Sequence, residues 1–162
     1  MVISKDLTKQ AIKKKGFWNY TELYNFTFNW LKDNGYNIKE KEYTEKLSDA
    51  GKEIIIVWEA ERKYTEYFKS VIKVKWHVLT MQKAEIERDG KVEKTNKGEV
   101  KLACEGALVK DYEDKWADKP FNKFLRGIYD RYIMRTTNET YEDKVKADFK
   151  EFVAQTKGFL EI

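Results

Sequence analysis

The chain has 162 residues, with 32 basic and 28 acidic side chains, and charged residues make up 37% of it. Aromatic residues make up 15%, which excludes a disordered polyelectrolyte because each buried ring contributes ~150–250 Å² to a core. The net charge of +4 is too small for a dedicated nucleic-acid arm. The length predicts one domain spanning residues 1–162.

The single cysteine, Cys104, excludes an intrachain disulfide and indicates a reducing compartment. Residues 1–15 lack the apolar run of a secretory signal. No apolar run approaches the ~18 residues that a membrane-spanning helix needs. We therefore expect a cytoplasmic protein without a transmembrane segment.

The pattern of apolar residues has a helical period at the start of the chain and a period of two afterwards. Residues 5–15 predict a short helix, because Lys13–Lys15 followed by Gly16 is typical of a helix end. Residues 19–33 predict a second helix, with apolar residues at three- and four-residue steps. Alternation then predicts strands over 38–47 (at a sheet edge), 53–63, 67–80 with an extension to 87, 91–95 and 99–110.

Asp89-Gly90 is the strongest hairpin signal, and Asn96-Lys97-Gly98 marks a break between the last two strands. Two further helices are predicted, over 120–134 and 140–156. Helices thus precede and follow a single antiparallel meander of five or six long strands. This order is typical of an α+β domain.

The order of short helices, a long meander and a closing helix resembles the helix-grip arrangement of START-like ligand-binding proteins. The resemblance implies a cavity for an apolar small molecule or lipid between the curved sheet and the aromatic helices, unless the same rings form an ordinary packed core. The candidate cavity residues are Trp18, Tyr24, Trp30, Trp58, Trp76, Phe124 and Tyr129.

A second likeness rests on short strings of residues. These are Asn34-Gly35-Tyr36, Asp111-Tyr112-Glu113, Trp116 and Lys123-Phe124-Leu125-Arg126. They resemble strings in small uncharacterised archaeal proteins. This resemblance implies no role for any of the residues.

The outer face of the predicted sheet is not cleanly polar, although a sheet that faces water alternates more strictly. Its apolar members are Ile55, Val57, Val71, Leu79, Ala103, Ala107 and Val109. Either the last helix or a partner is expected to cover this face. The candidate interaction residues are Lys69, Val71, Lys73, Lys75 and His77. The leading hypothesis is a non-catalytic binding or assembly module, with a homo-oligomer as its simplest form.

Catalytic and metal sites have little support in the sequence. A nucleophilic pair would need His77 beside Cys104, but strand alternation places them on opposite faces of the sheet. The acidic segment Asp111, Glu113 and Asp114 is a weak candidate for a hard metal ion, and its spacing matches no metal-binding loop. No phosphate-binding loop, dinucleotide fingerprint or zinc spacing is present. We therefore predict no cofactor and favour a protein without a catalytic site.

Basic and aromatic residues are interleaved where Lys13–Lys15 precede Phe17 and Trp18, a mixture typical of single-strand binders. Elsewhere lysines alternate with acids, which cancels their field beyond a Debye length of ~8 Å. Only Lys13–Lys15 and the row Lys69, Lys73 and Lys75 escape that cancellation. We predict no strong sequence-specific nucleic-acid binding and, at most, a weak salt-sensitive association.

Overall fold

The computed structural model describes residues 2–112 and 135–162, which form five strands and two helices. The elements are β1 Ile3–Trp18, α1 Tyr20–Asp33, β2 Asn37–Ser48, β3 Gly51–Lys63, β4 Phe68–Arg88, β5 Lys91–Lys110 and α2 Arg135–Phe159. The predicted helix over 120–134 lies outside the described residues. The helix predicted over 140–156 is observed as the longer α2.

The five strands form one antiparallel sheet in the order β1-β5-β4-β3-β2. The predicted α+β class is therefore confirmed, with β2 to β5 as the meander and β2 at an edge. The hairpin between β4 and β5 turns at Asp89 and Gly90, whose φ angles of 54° and 77° are those of a type I′ turn. Such a turn matches the twist of two long strands, so the chain reverses without splaying them.

The prediction of a helix over residues 5–15 is wrong, because these residues belong to β1. This strand pairs with β5 from Ile3, opposite Lys110, to Trp18, opposite Asn96. Ile12 is 1% exposed and points to the core from the middle of the strand. Lysine-rich residues with good helix propensity are thus held in a strand by a partner far along the chain. The same lysines discourage further pairing at this sheet edge.

The predicted break at residues 96–98 is also wrong, because β5 is a single strand through this point. Gly98 allows the backbones of β5 and β4 to approach each other closely. A Cβ atom on it would lie 2.9 Å from the carbonyl oxygen of Leu79 on β4. The glycine therefore marks close approach of two backbones and not a turn.

A β-bulge in β4 causes that close approach. The pairing of β4 with β5 slips between Leu79 and Gln82, and Thr80 has a φ of 52°. On the other side, a Cβ on Gly51 of β3 would lie 2.7 Å from the Thr80 carbonyl carbon. Beyond the bulge, residues 83–95 pair only within the β4–β5 hairpin in the described part of the chain, and they form a two-stranded arm.

Both helices pack on the inner face of the sheet. The buried residues there include Ile54, Ile56, Trp58, Ile72, Val74, Trp76, Leu102 and Cys104. Phe149, Phe152 and Val153 of α2 belong to the same cluster. The outer face was expected to be covered either by the last helix or by a partner, and α2 does not cover it because it packs on the inner face. Neither α1 nor α2, the helices of the described ranges, is long and apolar enough to cross a membrane.

Asp148 on α2 joins the helix to the end of the sheet where β2 begins, β3 ends and β4 begins. Its Oδ2 atom accepts hydrogen bonds from Tyr36 Oη at 2.9 Å, Tyr64 Oη at 2.8 Å and Arg62 Nη1 at 3.2 Å. The Tyr36 hydroxyl also lies 2.7 Å from Ser70 Oγ, which is fully buried. Burial raises the pKa of Tyr36 far above its usual range, so this hydroxyl stays a donor. One carboxylate therefore ties α2 to the residue before β2, to the end of β3 and to the turn before β4.

We expect Asp148→Ala to lower the free energy of unfolding by about 1–3 kcal/mol, because Tyr36, Tyr64 and Arg62 all lose their shared acceptor. Urea unfolding measures the loss. Asp143→Ala, at an exposed position of the same helix, is the matched control and should change stability by less than about 0.5 kcal/mol. Equal losses in the two variants would contradict the tie.

Candidate functional site

The register of the strands arranges charged side chains in rows across the outer face of the sheet. One row runs over all five strands as Lys9, Glu105, Lys73, Glu59 and Lys39. Each lysine in it stands directly opposite a glutamate on the next strand. Neighbours of opposite sign attract and cancel one another's field. Lys73, a predicted interaction residue, is thus neutralised by Glu105 and Glu59.

Three other predicted interaction residues are also accounted for by close neighbours. Lys69 Nζ lies 3.2 Å from Glu61 Oε1, and Val71 beside this pair is only 5% exposed. His77 Nε2 lies 3.0 Å from Glu53 Oε1. The part of the outer face that contains these pairs and the row through Lys73 is therefore a charge-paired surface.

The sheet carries unpaired charge where β1 meets β5. Lys13 stands directly opposite Lys101, and both side chains are exposed. Lys75, also exposed, pairs with Ala103, so Lys101 and Lys75 are diagonal neighbours about 7–8 Å apart on adjacent strands. Among the ion pairs formed within residues 2–112 and 135–162, none includes these three lysines. We call Lys13, Lys75 and Lys101 the basic patch.

An exposed aromatic ring continues the same side of β1. Phe17 is 47% exposed, and strand alternation puts it on the side that carries Lys13 and Lys15. Lys97 stands opposite Phe17, with its Nζ 5.5 Å from the ring centroid, a cation–π contact. Positive charge and one open ring therefore lie together at this end of the sheet.

The central candidates for a ligand cavity form a closed aromatic layer. Trp58 and Trp76 are both 0% exposed, with ring centroids 5.3 Å apart. Tyr24 of α1 packs edge-on against Trp58 at 5.1 Å. The Tyr24 hydroxyl and the Trp58 Nε1 both donate to Glu40 Oε1, at 3.0 and 3.2 Å. Burial, together with this carboxylate, raises the pKa of Tyr24 to about 12.

The remaining cavity candidates are dispersed. Trp18 is buried and donates its Nε1 hydrogen to the Gly98 carbonyl at 3.2 Å. Trp30 packs on Phe152 of α2, with ring centroids 5.4 Å apart. A cleft of about 630 Å³ lies beside Trp18, and its apolar lining includes Phe17, Ile86, Phe159 and Leu160. Phe124 and Tyr129 lie outside the described residues.

His77 and Cys104 lie on opposite sides of the sheet, as strand alternation predicts. Cys104 is in the core at 0% exposure, whereas His77 bonds to Glu53 on the outer face. Burial raises the pKa of the Cys104 thiol to about 12, so the thiolate is suppressed. The two side chains cannot act as a nucleophile and its base.

The acidic segment is only partly described. Asp111 is 2% exposed with a φ of 52°, and its amide donates to the Tyr67 carbonyl at 2.8 Å. Glu113 and Asp114 lie outside the residues that the structure describes. Within those that it does describe, no three His, Cys, Asp or Glu side chains group as metal ligands.

Sequence reasoning missed Lys101, and it placed Lys13 at the end of a helix instead of on a sheet. The opposition of the two lysines follows only from the pairing of β1 with β5. No local alternation marks β1 as a strand, because Ala11 and Ile12 are adjacent and three lysines follow them. Nothing in the sequence singled out Asp148 as a shared acceptor.

No protein-family model matches the chain, and no curated protein matches it. The resemblances to START-like proteins and to small archaeal proteins therefore stay predictions.

We expect alkaline pH to lower stability through Cys104. Burial raises its pKa from 9.0 to about 12, so above pH 9 the unfolded chain loses a proton that the folded chain keeps. The stability linked to this group is fully present below pH 9 and is lost as pH rises towards 12. The slope is about 1.4 kcal/mol per pH unit.

The measurement is urea unfolding with reductant at pH 8 and pH 10.5. The difference should be smaller in Cys104→Ala than in the parent by about 2 kcal/mol, the value for about 1.5 pH units of that slope. Equal pH dependence in both proteins would show that the thiol is not the group responsible.

Proposed function

We propose that the chain is a non-catalytic binding module that holds an anionic partner on the outer face of its sheet. The observation that carries the proposal is the opposition of Lys13 and Lys101 on adjacent strands, both exposed and both outside the ion pairs of the described residues. Like charges directly opposite each other destabilise a sheet. An anion bound between them removes that cost. Proteins accept local disagreements of this kind mainly at functional sites.

The surroundings of the basic patch support an anion of some size. Lys75 is a third cation about 7–8 Å from Lys101, but Glu105 and Glu59 are its diagonal neighbours at the same spacing, so the excess charge rests on Lys13 and Lys101. Ala11 and Ala103 stand opposite each other on the next pair of positions, so small side chains leave room above the sheet. The neighbouring row of alternating lysines and glutamates limits the unbalanced field to this end of the face.

Charge also bears on the identity of the partner. Two copies of the basic patch repel each other, which disfavours self-association through this region. A homo-oligomer formed through the remaining outer face stays a prediction, and sedimentation at several protein concentrations tests it. The predicted protein partner is compatible with the patch if its contact surface is acidic.

An apolar small molecule or lipid is the second candidate ligand. The cleft of about 630 Å³ beside Trp18 is within the usual ~300–1,000 Å³ of small-molecule sites, and its rings from Phe17, Trp18 and Phe159 offer apolar contacts among polar and charged side chains such as Lys14, Arg88 and Glu93. The helix-grip likeness stays a prediction. Native mass spectrometry tests this alternative, and a ligand-free protein would count against it.

We expect Lys101→Glu to separate binding from stability. The new glutamate faces Lys13, so the free energy of unfolding should rise by about 0.2–1 kcal/mol. The same change should weaken binding of inorganic polyphosphate about tenfold or more, because one attractive contact becomes repulsive. Chemical unfolding and calorimetric titration measure the two effects.

Lys150→Glu is the matched control, because it makes the same change in net charge at an exposed position of α2. It should leave polyphosphate affinity within about twofold of the parent once long-range charge is screened by salt. Equal weakening by the two variants would mean that net charge, and not the basic patch, governs binding.

A further inference from the structure

We infer that the anionic partner is a single-stranded nucleic acid, bound without sequence preference along the paired β1 and β5 strands. This inference rests on the proposed function and adds the class of partner. Sequence-independent single-strand sites combine a positively charged surface that follows the backbone with aromatic rings on which bases stack. The described surface has both features, because β1 and β5 each supply cations and Phe17 of β1 supplies an exposed ring.

The track is built from alternate residues of two neighbouring strands. Lys13, Lys15 and Phe17 follow one another on one side of β1, at a spacing of about 6.6–6.8 Å. Lys101 stands opposite Lys13, and Lys97 stands opposite Phe17. Lys15 lies opposite Glu99 and is charge-paired in the way that Lys73 is, so the unbalanced cations of the track are Lys13 and Lys101. A nucleic-acid backbone that runs along β1 therefore meets two unpaired lysines at one end and an exposed ring at the other.

Phe17 is the residue that favours a nucleic acid over other anions, because its ring can stack on a base. It is 47% exposed, whereas the adjacent Trp18 is 5% exposed and belongs to the core. Lys97 Nζ lies 5.5 Å from the centroid of the Phe17 ring, which brings a cation beside the stacking position. Base stacking on an aromatic ring is tolerant of sequence, because every base has a π face.

The same residues disfavour other anionic partners. Glu99 stands opposite Lys15, so the track is not a uniform positive surface of the kind that attracts acidic lipids. The β4–β5 arm has the ribbon shape that can enter a major groove. The arm, however, carries no net charge. Its basic residues are Lys83, Arg88, Lys91 and Lys94, and its acidic residues are Glu85, Glu87, Asp89 and Glu93. Duplex binding through the arm therefore lacks the charge that it needs.

The test uses the full chain and three labelled probes, namely single-stranded oligouridylate, an RNA duplex of the same length and polyglutamate. Fluorescence anisotropy at two salt concentrations should show the single strand bound most tightly, with affinity falling as salt rises. Phe17→Ala should weaken the single strand about tenfold. The same variant should leave inorganic polyphosphate binding within about twofold, and Phe17→Trp should retain single-strand binding. Thermal unfolding of both variants checks their fold.

The outcomes separate this inference from the proposed function. Equal affinity for the single strand, duplex and polyglutamate, or no effect of Phe17→Ala, overturns the nucleic-acid inference. If Lys101→Glu still weakens polyphosphate binding in that case, the anion-binding module stands. If Lys101→Glu leaves polyphosphate binding unchanged, the proposed function itself fails.

Discussion

The pairing of β1 with β5 is the constraint on which the rest of the structure depends. It brings the first of the described strands against the last of them and sets the order of the sheet. The register that turns Ile12 into the core also sets Lys13 against Lys101. Because α1 starts directly after β1, with the Tyr20 amide bonded to Asn96 Oδ1 at 2.9 Å, the pairing also fixes where the aromatic helix enters. The pairing of β1 with β5 therefore determines both the packing of the core and the position of the basic patch.

The elements that could be predicted are those whose signals are local. α1 and the strands β2 to β4 follow from period and turn residues, and Asp89-Gly90 marks its hairpin correctly. β1 could not be found this way, because its lysine-rich sequence suits a helix and its partner is distant. Gly98 was misleading for a related reason, since a glycine needed for close contact between strands looks like a turn when one strand is read alone.

The candidate site shows the same limit. Alternation along β4 correctly groups Lys69, Lys73 and Lys75 on one face, and from that strand alone they form a basic row. The register then places Glu61 near the first and Glu59 beside the second. The third, Lys75, stands opposite Val57 and Ala103 and takes part in none of the ion pairs within residues 2–112 and 135–162. Unbalanced charge is a property of adjacent strands, so a single strand does not reveal it.

The bulge at Thr80 divides the sheet into two parts with different freedom to change. On the side of Phe68 to Leu79, β4 pairs with both β3 and β5, which hold its register. Gly51 and Gly98 must stay small, because a side chain on either would collide with the backbone of the bulge. Beyond the bulge, within residues 2–112 and 135–162, the two strands of the arm pair only with each other. The arm can therefore lengthen or shorten over evolutionary time, provided that both of its strands gain or lose the same number of residues. Such changes leave the pairs that β4 and β5 form on the other side of the bulge in place, together with the core side chains that these pairs carry.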